Sequence, residues 1–324
     1  MKMMKWMQYA LAAAIAAGPA APSHAEDYPS RPIRIVSPFA PGGFNDVLAR
    51  MIGQKMAADF GQPVVVDNRP GANMIIGSEL VAKADPDGYT LLMAAVPHVI
   101  NPSLYKLPYD SEKDFTPTAL ITLVPNVLVV HPSLPVHSVQ ELIAYGKAHP
   151  DKLSFGSVGT GSSYHMAGEL FKNMTGIEML HVPYKGSAPA MNDLLAGRFN
   201  VFFANLVSVL PHIRSGKLRA LGVTSPKRAA IMPELPTVAE AGVPGFSASS
   251  WYGLMGPANM PPEVVAKINA EVGKIVSSPE MRQWLTKDGA EPLTASPQEF
   301  AQLVHDDIAR WGKVVRERGI KADQ

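Results

Sequence analysis

The chain has 324 residues, 47% of them hydrophobic and 18% charged, with a formal net charge of +1. That is enough apolar material for one large core or two medium ones, and a charge balance this even argues against nucleic acid as a partner. The absence of cysteine excludes disulfides, thiolate metal sites, a cysteine nucleophile and a lipid-modified amino terminus.

In chain order, the opening carries Lys2 and Lys5, an apolar run from about Tyr9 to Ala17, and Ser23-His24-Ala25 before Glu26. This pattern predicts a signal peptide over residues 1–25, cleaved after Ala25, since the run is too short for a membrane span. Removing it leaves 27 basic and 28 acidic residues, and a soluble product in a bacterial periplasm is expected.

Beyond it, strand and helix patterns alternate, which predicts an α/β fold with largely parallel sheets. Ile33 to Ser37 reads as a strand, and "PFAPGGFND" as a glycine loop. A helix follows, with Val47, Leu48, Met51, Ile52 and Met56 on one stripe. "PVVVDNRPGA" predicts a second strand, Ile75 to Lys83 a helix, and "YTLLMAA" a third strand.

The same order then returns. "LSFGSVGTGSSYHMAGELFKNM" is strand, glycine loop, helix; "EMLHVPYKG" is strand and turn; "APAMNDLLAGR" is a helix and "FNVFFAN" a strand. Landmarks pair as Ile35 with Phe155, Val65 with His181 and Leu92 with Phe202. Between and after the halves, "TLVPNVLVVHPS" and "SASSWYGLMGPANMPP" read as strands that cross between two lobes and form a hinge. Helices over Pro262 to Ser277 and from a capping box at Ser296-Pro297-Gln298-Glu299 should return to the first lobe. The expected lobes are 26–126 with 254–324, and 127–253, with crossings near 123–131 and 249–256.

Each glycine loop lies at the carboxyl end of a first strand, where open α/β sheets bind ligands. Glycines let a ligand approach the backbone, and the following helix offers unpaired N–H groups that suit an anion. Alternatively, the glycines only close tight turns and Ser162 only caps its helix. Neither loop matches a dinucleotide or Walker pattern, and no G-x-S-x-G elbow occurs. His165 and Glu169, four apart, lack further metal ligands in sequence, so a loop-supporting histidine is favoured. His98, His131, His181 and His305 are scattered singles. Asp46 falls in the first helical turn, where a structural role is favoured over ligand contact.

The strings "YPSRPIRIVSPFAPGGFNDVLAR", "GQPVVVDNRPGAN", "DPDGYTLL", "HVPYKGSAPAMNDLLAG", "GKLRALGVTS", "PELPTVAEAGVPGF" and Trp251-Tyr252-Gly253 together resemble the extracytoplasmic solute receptors of tripartite tricarboxylate transporters, the Bug family. The resemblance spans nearly all of the mature chain. It implies a two-lobed Venus-flytrap receptor that grips a ligand carboxylate with both strand-to-helix loops and delivers it to the transporter's membrane components. It implies a monomer with no cofactor, no metal and no catalysis. The ligand-binding set carried over is Pro41, Gly42, Gly43, Phe44, Asn45 and Asp46 from the first loop and Gly159, Thr160, Gly161, Ser162, Ser163 and His165 from the second. His98, Asn205 and Trp251 complete it. The turn "PGANMIIG" and Phe44 depart from the family pattern. Phe44, with Trp251 and Tyr252, raises the expectation of an aromatic carboxylate such as terephthalate, beside di- and tricarboxylates. A periplasmic hydrolase using a loop serine and a sensory receptor are the alternatives.

Overall fold

The computed structural model describes residues 27–287 and 289–322; the expected signal peptide lies outside the described residues. In chain order the strands and helices are β1 (Ile33–Ser37), α1 (Phe44–Phe60), β2 (Val64–Asn68), α2 (Ile75–Ala82), β3 (Thr90–Ala95), α3 (Pro97–Leu104), β4 (Phe115–Val124), β5 (Asn126–Val130) and α4 (Val139–Ala148). There follow β6 (Ser154–Ser157), α5 (Ser163–Thr175), β7 (Leu180–Pro183), α6 (Ser187–Leu195), β8 (Val201–Asn205), α7 (Leu206–Arg214) and β9 (Arg219–Val223). The chain ends with β10 (Ser250–Pro257), α8 (Pro262–Ser277), α9 (Pro279–Lys287), β11 (Glu291–Pro292) and α10 (Pro297–Arg318).

Two sheets organise these elements, ordered β11-β4-β10-β3-β1-β2 and β7-β6-β8-β5-β9. Leaving out the short β11, the two have one topology. β1 lies parallel between β2 and β3, as β6 lies parallel between β7 and β8. The next strand in each sheet is antiparallel, β10 in the first and β5 in the second. Both of these enter from the other sheet, so they run against their neighbours. The doubled order of elements is thus a doubled architecture, and the paired landmarks fall on equivalent strands.

Alternation along the strands divides the core. In β5, Leu128 and Val130 face one apolar cluster with Phe155, Phe171 and Phe203, while Val127 and Val129 face another with Phe199 and Phe202, as the period of two requires. In α1, Leu48, Ile52 and Met56 are buried, but Val47 is exposed on the opposite face.

The crossings are sharper than the sequence suggests. "TLVPNVLVV" forms two strands, β4 in the first sheet and β5 in the second, parted at Pro125, which cannot donate to a ladder. β10 belongs wholly to the first sheet, with Ser250 opposite Val124. The return expected at 254 therefore falls four residues inside a continuous strand. Asn126 ties the crossings together: its N–H meets Thr224 Oγ1 at 3.0 Å, and its Nδ2 donates to the Ala248 carbonyl at 3.0 Å.

The capping box at Ser296 and Glu299 is formed as predicted. α10 packs on α3 and β4 and also reaches α5. There Arg318 pairs with Glu169 and Glu178.

Candidate functional site

The carboxyl ends of β1, β3, β6, β7 and β8 converge on one cleft of about 510 Å³. Its walls include the starts of α1, α3, α5, α6 and α7, represented by Phe44, Pro97, Ser163, Ser187 and Val207. Of these helices, only α5 has a side-chain cap at its amino end; α1, α3, α6 and α7 have none. This leaves the first-turn N–H groups of α1 and α6 without a capping side chain, whereas in α3 the Val99 N–H meets the Val96 carbonyl at 3.1 Å and in α7 the Leu206 N–H meets the Pro125 carbonyl at 3.0 Å. Among the described residues that line the cleft, no side chain is ionised lysine, arginine, aspartate or glutamate. The helix ends supply positive potential there without a cationic side chain in the lining. A larger depression of about 660 Å³ beside Tyr105, Leu107, Glu112 and Ile308 has no such convergence.

The first loop is braced from behind. Asn45 spends its amide on the scaffold, accepting from Ser37 Oγ at 2.9 Å and donating to the Met93 carbonyl at 3.0 Å. Asp46 accepts from the Gly42 N–H at 2.9 Å, from Asn68 Nδ2 at 2.8 Å and from Arg50. Burial pushes its carboxyl up, but the bonds from Gly42, Arg50 and Asn68 outweigh this and hold it below the usual carboxylate range. Gly42 has φ of +86°, which suits glycine. Asp46 thus supports the loop from outside the cleft, while Pro41, Gly42, Gly43, Phe44 and Asn45 line it.

The second loop divides its hydroxyls. Ser162 Oγ donates to the Gly159 carbonyl at 2.6 Å and accepts from the His165 N–H at 3.3 Å. Its one proton is spent, and its job is the helix cap. Ser163 Oγ instead faces the cleft beside Ser250 Oγ, 3.0 Å away. Ser250 Oγ also lies 3.2 Å from Asn205 Oδ1, and Asn205 Nδ2 donates to the Tyr252 hydroxyl at 3.5 Å. Burial, and then Tyr164, push the Tyr252 phenol up, so it stays neutral.

Gly159, Thr160, Gly161 and His165 sit behind this surface. The Gly161 N–H donates to His165 Nδ1 at 3.2 Å, which requires a neutral imidazole with its proton on Nε2. His165 stacks on His181 at 4.0 Å, and His181 Nε2 meets Ser157 Oγ at 2.7 Å. Burial first, then His181 and Lys172, lower the His165 pKa to about 3. His165 therefore bonds the loop backbone from behind and does not line the cleft. Among the described residues no cluster of three or more metal-ligating side chains occurs.

Two expected residues lie elsewhere. His98 is fully buried, bonded through Nε2 to the Ser111 carbonyl at 2.8 Å and packed edge-on against Phe115. Trp251 points into the core, donating to Asp307 at 3.0 Å and packing on Phe300. Strand alternation explains Trp251: its neighbours Ser250 and Tyr252 line the cleft, so Trp251 faces the other side. Asn205 does line the cleft.

Several lining residues carried no signal in the sequence reading: Asn73, Tyr164, Ser187, Ser208 and Ser250. Most follow strands other than the first of each half, and the rule that ligands meet strand carboxyl ends applies to those strands equally. Asn73 sits in the turn that departs from the family pattern. Ala72, Asn73 and Met74 all have positive φ, of 44°, 49° and 79°, and Asn101 holds Asn73 through bonds of 2.7 and 2.9 Å. Trp284 was also missed; it stacks on Phe44 from α9, with ring centroids 5.8 Å apart.

With this geometry in view, the profile described as "Tripartite tricarboxylate transporter family receptor" matches residues 48–320. The chain belongs to that receptor family. Protein BugT of Bordetella pertussis is 41% identical over 308 residues, covering 94% of each chain. The solved structure of R. palustris Rpa4515 with adipate has a TM-score of 0.82 and 41% identity, over 92% of this chain and all of that one. MatC from Rhodopseudomonas palustris with bound malate has a TM-score of 0.78 and 35% identity, over 89% and all. The receptors of this family are periplasmic solute-binding proteins with two α/β lobes, as the paired sheets of this chain are.

Proposed function

We propose that this receptor captures a small aliphatic organic acid, foremost a dicarboxylate, in the cleft and delivers it to the membrane components of a tripartite tricarboxylate transporter. The observation that carries this reading is a cleft ringed by uncapped helix amino ends and free of ionised side chains. Helix ends with open N–H groups suit carboxylates, and the relatives solved with adipate and malate hold carboxylates.

An aromatic acid is less well served than the sequence suggests. Phe44 is already engaged by two rings, stacked on Trp284 and tilted against Tyr252, so an aromatic ligand would compete with these contacts for its ring. Turnover is also poorly served. Ser162 has no proton to give, and Ser163 has a hydroxyl neighbour where a base would be needed.

The first lobe in this reading comprises residues up to 124 and from 250 onward, with 126–248 as the second, and the mature monomer starts after Ala25. A thermal-shift panel of adipate, malate, succinate, citrate and terephthalate tests the ligand class, because a ligand bound only by the folded state raises stability by RT ln(1 + [L]/Kd). Adipate or another aliphatic dicarboxylate should give the largest shift. Terephthalate in first place would replace the aliphatic reading, and no shift from any acid would sink the carboxylate reading.

A further inference from the structure

Ser250 is the first residue of β10, opposite Val124, where both crossing strands leave the first sheet. Among the described residues its hydroxyl nevertheless bonds to groups of the second half: Ser163 Oγ at the start of α5 and Asn205 Oδ1 at the end of β8. It is 3% exposed, so water does not substitute freely for these partners.

A hydroxyl has one proton, and an amide oxygen can only accept. Two proton arrangements therefore fit the three groups. In one, Ser163 donates to Ser250 and Ser250 donates to Asn205 Oδ1. In the other, Ser250 donates to Ser163, and the Ser163 proton turns into the cleft. A bound carboxylate accepts only, so it selects the second arrangement, and the bond from Ser250 strengthens Ser163 as a donor.

We infer that Ser250 is a positioning residue that couples anion capture at Ser163 to the hinge strand β10. Binding turns the Ser250 proton from Asn205 to Ser163, so the bond that joins the first sheet to the second loop at the base of the cleft reverses its direction and frees the Ser163 proton for the ligand. No covalent bond changes; two hydroxyl protons rotate. The coupling rests on the carboxylate reading above.

A double-mutant cycle with adipate as the probe, read by isothermal titration, tests it. Ser163→Ala should weaken binding roughly tenfold or more, the loss of a hydrogen bond to a charged group, and Ser250→Ala by a smaller factor, about threefold, because it removes only the bond that supports Ser163 as a donor. The double variant should bind about as weakly as Ser163→Ala alone, because Ser250 acts through Ser163. Ser250→Thr, which keeps the hydroxyl, should restore most of the affinity, and urea midpoints will show whether Ser250→Ala remains folded. Additive losses in the double variant, or unchanged affinity in Ser250→Ala, overturn the coupling while leaving the carboxylate reading intact. If the parent protein binds neither adipate nor any other acid of the panel, both fall together.

Discussion

The Gly42 N–H donates to Asp46 Oδ2 at 2.9 Å across the first loop, so a carboxylate behind the anion site serves to shape the backbone that lines it. Its negative charge is paired with Arg50, and Asn68 donates to it at 2.8 Å. Without that pairing it would repel the ligand.

Asp46→Ala should therefore cost stability as well as affinity. Leaving the Gly42 N–H and Asn68 without their acceptor costs about 1–3 kcal/mol, visible as a lower urea midpoint. Affinity should fall because Gly43 and Phe44 lose their fixed orientation. A variant with unchanged stability and lowered affinity would instead place Asp46 in direct ligand contact.

Ser162 and Ser163 give opposite outcomes on substitution. Ser162→Ala removes a helix cap and should cost about 0.5–2 kcal/mol of stability, with a small effect on binding. Ser163→Ala should leave the melting temperature nearly unchanged and weaken the tightest acid roughly ten- to a hundredfold. Equal losses of affinity in the two would show that Ser162 also gives its proton to the ligand.

The fold was legible because its signals are local. Glycine loops after short apolar runs, the Ser296 capping box and the repeated element order survive without tertiary information, and each is found in place. The crossings were less legible. Continuous apolar strands such as β5 and β10 show no alternation that would say which sheet they join. The site was half legible for a similar reason. The two loops are visible as glycine clusters, but Asn73, Ser187, Ser208 and Ser250 are ordinary polar residues that matter only because five strand ends meet. His98 and Trp251 misled because a side chain's facing depends on strand and helix phase, and one position separates Trp251 in the core from Tyr252 in the cleft.

Acid should destabilise the protein through its buried histidines. Burial lowers His98 to about 4, against a weaker opposing pull from the Ser111 carbonyl, and lowers His165 to about 3, while the unfolded chain titrates near 6.5. Between pH 6.5 and about 4 the unfolded state thus binds more protons, so stability rises with pH there and is lost on acidification. The full contribution is present above pH 6.5. Each group adds a slope of up to about 1.4 kcal/mol per pH unit. Urea midpoints at pH 7, 6 and 5 should fall in sequence, and His165→Gln should flatten the trend. A flat profile in the parent would mean that these imidazoles charge without cost.

Phe44 bears on what kind of acid fits. Its ring lies 5.8 Å from Trp284 at an interplanar angle of 14°, and 5.0 Å from Tyr252 at 58°. Aromatic pairs of this kind contribute about 0.5–1.5 kcal/mol each, so Phe44→Ala should lose roughly 1–3 kcal/mol of stability from the two pairs. The ring fixes the start of α1 against β10 and α9. Removing it should loosen the first anion loop for every ligand, and adipate, malate and terephthalate should weaken by similar factors. Trp284→Ala should act in the same direction, since Trp284 reaches the cleft only through Phe44. Titrating the three acids against both variants decides the matter: a loss confined to terephthalate, with adipate untouched, would show that Phe44 offers a face to the ligand and would restore the aromatic acid as the preferred class.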